Sequence, residues 1–188
     1  RCINPGGNNK QAWGGRIQLA MGPGDQPAMV YDQSFGTADG IGSNVLFQKR
    51  DVSGNWSSAA LILSIANTQS GASLAYDATE GYGVAAIDRS TGILHYTNST
   101  NGAQWSESSH VFGAGTGGWW PSLAMDPVYH EPAIAFHICS PKNGVNETQC
   151  LTTEDELVVR QRIGATWREV SVDKRGGYTP KIAFFSSG

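Results

Sequence analysis

Residues 121–136 read PSLAMDPVYHEPAIAF, and the same pattern stands at two other places in the chain. Residues 72–87 read ASLAYDATEGYGVAAI, and residues 17–30 read IQLAMGPGDQPAMV. A fourth copy, TPKIAFF, starts at Thr179. Each copy is a short apolar run, a few turn residues and a second apolar run. Short apolar runs bounded by Gly, Pro and Asp predict strand, tight turn and strand. A unit of this size cannot bury its apolar face alone and must stack on its copies. That requirement narrows the chain to repeat architectures.

The spacing defines the unit. The anchor residues Leu19, Leu74, Leu123 and Ile182 are 55, 49 and 59 residues apart. Each complete unit has room for four strands. They are expected at 18–21, 28–32, 45–49 and 56–63, at 73–76, 83–88, 94–98 and 105–112, and at 122–125, 133–138, 157–162 and 167–172. A tryptophan opens the last strand each time, at Trp56, Trp105 and Trp167. A large aromatic recurring at one place in every sheet is expected to pack on the neighbouring sheet. The best helix candidate, 152–162, where Thr153 and Glu156 can make a capping box, is set aside because Leu157, Val158 and Val159 favour a strand and the repeat places one there.

Four short antiparallel strands repeated at about 40–50 residues are the signature of a β-propeller blade. The expected fold is therefore all-β, a propeller with four-stranded antiparallel blades. About three blades and one further strand lie in this chain. The divisions are an irregular leader at 1–16, blades at 17–71, 72–120 and 121–178, and a partial blade at 179–188. A closed propeller needs about 4–8 blades. The remaining blades are expected from more of the same gene product or from a second chain rather than from a symmetry mate, because a unit of three blades and a fraction closes poorly by symmetry, so this is read as part of a larger or split propeller.

The repeats resemble those of secreted bacterial β-propeller proteins, on the pattern PSLAxD, G.P.IAY, L.Y and a following W. The likeness covers nearly everything from Ile17 onward and implies an architecture, not an activity. A looser likeness is to the sialidase-type propellers and their Asp-box turn. Ser99, Asn101, Gly102 and Trp105 are the nearest match, with the spacing one residue short and Thr missing. In that family the box is a structural turn and implies no catalysis.

The net charge is −3 and the basic residues form no run. This excludes the electrostatic footprint of a nucleic-acid binder. No stretch approaches the ~18–20 apolar residues of a membrane span. The chain opens without the charged and apolar regions of a signal peptide, and a processed N-terminus would look the same. Cys139 and Cys150 flank the polar stretch SPKNGVNETQ. A disulfide stapling that loop is favoured over two separate buried thiols, and would place the protein in an oxidising compartment. Cys2 is then left free or paired elsewhere.

Function is expected where the units differ. From Asp32, Asp88 and His137, which end the second strands, the next strand's leucine is 14, 6 and 20 residues away. Variable loops on one end of a rigid scaffold are where binding usually resides. On that end Trp119 and Trp120 lie in GTGGWWPS, and Tyr178 takes the place of Trp119 in the next unit. They are read either as plugs between blades or as an aromatic platform for a sugar ring or a protein partner. The first long loop carries Asp32 and Asp39 among glycines. It can wrap a calcium ion, although no cofactor is required and the cluster Glu154, Asp155 and Glu156 reads as a solvated turn.

Signals for catalysis are thin. His95, His110, His130 and His137 show no metal-ligand spacing. No nucleophile elbow is present. Asp77 and Asp126 share one repeat position just after the inner strand, which reads as turn capping. The function expected is an extracellular, non-catalytic binding propeller that recognises a glycan or a protein through its long-loop end. The alternatives are a sialidase-like or glycoside-hydrolase-like enzyme completed by missing blades, and a structural subunit of an extracellular assembly.

Overall fold

The computed structural model describes residues 17–37, 40–65, 71–88, 91–112, 117–138, 156–174 and 179–185. Among the described residues, twelve strands make up nearly all of the regular structure. In chain order they are β1 (Gln18–Met21), β2 (Pro27–Thr37), β3 (Gly40–Lys49), β4 (Ala60–Ile65), β5 (Ala72–Asp77), β6 (Gly81–Asp88), β7 (Ile93–Ser99), β8 (Ser109–Phe112), β9 (Gly117–Met125), β10 (Pro132–Ile138), β11 (Glu156–Ile163) and β12 (Thr166–Asp173). They form three four-stranded antiparallel sheets, each with its strands in sequence order. Sheet I holds β1–β4, sheet II β5–β8 and sheet III β9–β12. A single 3-10 turn, Pro23–Asp25, links β1 to β2.

The registers align the three sheets residue by residue. Gln18, Val30, Phe47 and Ala60 form one row across sheet I. Ser73, Ala85, Tyr96 and Ser109 form the same row in sheet II. Ser122, Ala135, Val159 and Val170 form it in sheet III. Strand residues alternate between faces, so the neighbouring row, which carries Leu19, Leu74 or Leu123, points the other way.

Two apolar layers fill the gaps between sheets. Between sheets I and II lie Val30, Val45 and Phe47 on one side and Ala72, Leu74 and Val84 on the other. Between sheets II and III lie Ile87, Leu94 and Tyr96 against Leu123, Ile134 and Phe136. Central strand β6 is buried along its whole length. The tryptophans pack as a recurring sheet-to-sheet contact requires. Trp105 of sheet II meets Phe47 of sheet I edge-on, with ring centroids 5.1 Å apart. Trp167 of sheet III meets Tyr96 of sheet II in the same way at 5.4 Å.

Two expectations shift. The first concerns the run from Asp32 to Asn44, read as a long loop because of its glycines. It is a hairpin whose ladder continues through Gln33↔Asn44 and Gly36↔Ile41 to Thr37↔Gly40. A chain that turns back on itself satisfies its own backbone donors and acceptors most completely by extending the ladder. The second concerns the tryptophans. Trp167 lies in β12, but Trp56 forms only an isolated bridge with Arg50, and Trp105 precedes β8. Turns explain the delay. Asn55 donates its N–H to Asp51 Oδ1 (2.8 Å), and Gly102 donates to Ser99 Oγ (2.8 Å). These turns hold the chain away from the ladder, so β4 and β8 begin only at Ala60 and Ser109. Thus the Asp-box-like stretch is a structural turn, and its Gly102 sits where a Cβ would strike the Phe47 ring at 2.7 Å.

The segment 181–185 belongs to none of the sheets. It runs beside β9, where Ile182 donates its N–H to Ser122 Oγ at 3.2 Å. Cys139 and Cys150, expected to form a disulfide, and Cys2 lie outside the described residues, as do Asp39 and Tyr178.

Candidate functional site at the long-loop end

An up-and-down sheet puts the link between its second and third strands at the same end as the exit from its fourth. Asp32, Asp88 and His137 all lie toward that end, with Trp119 and Trp120 beside His137 in sheet III.

Strand β9 is irregular there. Ser122 pairs with Ala135 and Trp119 with His137, so Trp120 and Pro121 together oppose Phe136. A second register shift follows, since Ile138 pairs with Gly117. Proline lacks the ladder donor and is tolerated in sheets at bulges. Bulges re-aim side chains and cluster near functional sites. At this one Trp120 adopts φ 48°, in the left-handed region. For an L-residue that conformation costs about 1–2 kcal/mol.

The bulge sends the two tryptophans to different surroundings. Trp119, at 2% exposure, is a core residue packed with Leu123, Ile134 and Phe136. It plugs the sheet II–III interface and offers no open aromatic face. Trp120 is only partly buried, and its ring stacks on the imidazole of His137 at 5.7 Å and 11°. His137 has no exposed surface. The result is an indole held flat on a buried ring, in a strained backbone, at the end of a sheet. Asp32 belongs to sheet I. It is half-buried in β2, paired with Val45.

Sheet II contributes polar groups at the same end. His95 and His110 are register partners, and their rings meet edge-on at 5.1 Å. Burial holds the His95 imidazole below its ordinary value; neighbouring His110 adds to this and Asp88 opposes it. His95 Nδ1 is buried without a hydrogen-bond partner, while Asp88 is nearly buried. Among the described residues no group of three or more His, Cys, Asp and Glu is arranged to hold a metal ion.

The opposite, short-turn end is fastened by ion pairs. Asp77 Oδ1 accepts the N–H groups of Thr79 (2.7 Å) and Glu80 (2.9 Å). Asp126 Oδ1 accepts those of Val128 (2.8 Å) and Tyr129 (3.1 Å). Both are turn caps, as their shared repeat position implied. Asp77 also meets His130 Nδ1 of sheet III at 3.0 Å. Arg162 of β11 reaches Glu131 at 2.5 Å and Glu80 of sheet II at 3.2 Å, with its guanidinium over the Tyr96 ring. These charges clamp sheet II to sheet III. Their work is structural.

Sequence reasoning placed Trp120 at this end but missed His137 as its partner and the His95–His110 pair. His95 and His110 are 15 residues apart, and only the β7–β8 register brings them together.

No protein-family model matches the chain, and no curated protein matches it. The fold and the site therefore carry the functional reading by themselves.

Proposed function

We propose that the three sheets are blades of a β-propeller, and that the assembly is an extracellular, non-catalytic binding module. Its ligand is a glycan or a protein loop held at the long-loop end. Further blades, from a longer polypeptide or a second chain, complete the ring.

The radial arrangement is supported by one contact made twice. Ser73, just before the anchor of β5, accepts the N–H of Leu123, the anchor of β9 (2.9 Å). Ser122, just before that anchor, accepts the N–H of Ile182 in turn. A first strand that touches the next, which is touched in turn by the segment at the following anchor position, is what blades around a common axis require.

The binding function rests on a single observation, the stacked and strained Trp120. Backbone strain of this kind persists only where surrounding structure enforces it, and it concentrates at ligand sites. A flat ring fixed in place offers apolar contact area with little entropy left to lose. That suits the face of a sugar ring. Binding is favoured over catalysis because Asp77 and Asp126, the carboxylates that recur by position, are engaged as turn caps.

A glycan array, run beside a turnover assay on generic glycosides, tests the reading. The expected result is retention of one glycan class without turnover, weakened at least tenfold in Trp120→Ala. Turnover abolished by a single carboxylate substitution would replace binding with catalysis. An array with no retained glycan would leave the protein-loop ligand, to be sought by cross-linking through position 120.

A further inference from the structure

The three sheets match one another position by position, and at one pair of positions the chemistry departs. The third and fourth strands of sheet I pair Leu46 with Leu61. Those of sheet III pair Val158 with Ser171. The same positions of sheet II hold His95 and His110. Each pair stands next to the aligned row that carries Phe47, Tyr96 or Val159, and each follows the same one-residue register shift. Two sheets of three are thus built here without a histidine, so the architecture itself does not call for the pair in sheet II.

The pair has the geometry of a chelate. Directly opposed residues of an antiparallel ladder share a face, with Cβ atoms about 4.5–5.5 Å apart. The two rings have centroids 5.1 Å apart and planes at 89°. Two imidazoles on one tetrahedral ion, with metal–nitrogen bonds of about 2.0–2.1 Å, hold their ring centres about 5 Å apart. The rings therefore stand at the separation a shared ion needs, and each aims a nitrogen by turning about its broad terminal torsion. His95 Nδ1 is buried and makes no hydrogen bond. A buried polar atom without a partner calls for an explanation, and an ion is one. His110 is exposed, which gives an ion a way in. Asp88 shares the face, two residues beyond Ala86, the partner of His95 across the ladder, and its negative charge reaches His95.

We propose that His95 and His110 together bind a divalent transition-metal ion of the zinc, nickel and copper class, and that the ion staples edge strand β8 to β7. Imidazole nitrogen suits these metals. Two rings leave positions on the ion for water. β8 has only four residues, Ser109–Phe112, and its one ladder neighbour is β7. A bond through its side chain therefore adds to what a short ladder supplies, and an ion that binds only the folded chain stabilises it.

Titration of the 188-residue chain with zinc chloride, followed by nitrogen NMR of the imidazole rings, tests this. The His95 and His110 rings are expected to shift together and to saturate at one ion for the pair, while the His130 and His137 rings stay in place. In His110→Ala the His95 ring should need at least tenfold more zinc to respond. Position 110 is exposed, so this variant should fold, which circular dichroism checks. The double variant His95→Leu, His110→Leu carries the leucine pair of sheet I into sheet II. Zinc should raise the thermal midpoint of the parent chain more than that of the double variant. Rings that do not move, a shift of His110 alone, a shift of all four histidines alike, or a His95 ring as sensitive to zinc without His110 as with it would overturn the proposal. An equal rise of the midpoint in the parent and the double variant would overturn the staple.

Discussion

Ser73 Oγ accepts the backbone N–H of Leu123 at 2.9 Å, across the gap between two sheets and 50 residues of chain. β9 is the edge strand of sheet III, and this N–H is directed out of the sheet, toward Ser73. A side chain of the preceding sheet satisfies it. The same residue type does so again at Ser122, toward Ile182.

Substitution of Ser73 by Ala therefore leaves a buried donor without an acceptor. A loss of about 1–3 kcal/mol is expected. Ser122→Ala should cost less, because Ile182 is only half-buried and water can take over. Urea unfolding of the two variants, compared at equal m-value, measures the difference.

Gly81 opens β6 at φ 82°, and a Cβ there would stand 2.3 Å from the Ser99 carbonyl oxygen. Gly24 has φ 63°, but a Cβ there would point into open space and meet no atom within 4 Å. Both alanine variants bear the left-handed penalty of about 1–2 kcal/mol. Only Gly81→Ala adds a backbone clash, which brings its loss to about 3 kcal/mol or more. Thermal unfolding of the pair separates strain from collision.

Asp77 sets an acid limit on stability. Burial alone would raise its pKa. The hydrogen bond to His130 and the N–H groups of Glu80 and Thr79 outweigh burial and hold it below the ordinary 3.8. A carboxyl group depressed in the folded state stabilises fully above its unfolded value. The contribution is lost as pH falls through the folded value. Urea midpoints should thus drop as pH falls below about 4, by the sign of that linkage. Asp77→Asn should be less stable at neutral pH and should lose part of this acid slope. An unchanged slope would show that other carboxyl groups set the limit.

Trp120 offers a test of strain at the site itself. Glycine tolerates φ 48° where alanine does not. Trp120→Gly should therefore be more stable than Trp120→Ala by about 1 kcal/mol. At an ordinary exposed strand position glycine is the less stable of the two, so the sign of the difference reports the backbone. Ligand binding should be lost equally in both, because both remove the ring.

Much of the fold was legible because its signals are local. The anchor leucines, the turn-capping Asp77 and Asp126 and the short turns lie within a few residues of what they organise. The serine before the anchor was visible as a letter but not as a link, since its partner stands in the next sheet. The 33–44 hairpin was hidden by its glycines, which mark turns in one context and are carried by a ladder in another. Trp119 and Trp120 are adjacent in sequence and alike in chemistry. Only the bulge at Pro121 separates them into a core residue and a half-exposed one, and a bulge depends on the register of β9 with β10. Arg162, Glu80 and Glu131 belong to three different strands or turns, so their clamp had no sequence signature.

The proposed radial arrangement rests on first strands joined side by side, and native-state hydrogen exchange at the Leu123 amide tests that joining most directly. The prediction is protection comparable to that of β6 in the parent chain. In Ser73→Ala that protection should fall at least tenfold, while the Ile134 amide of the same sheet keeps its own. A Leu123 amide that exchanges freely in the parent chain, or is as slow without the Ser73 hydroxyl as with it, would contradict the joined strands and the radial arrangement built on them.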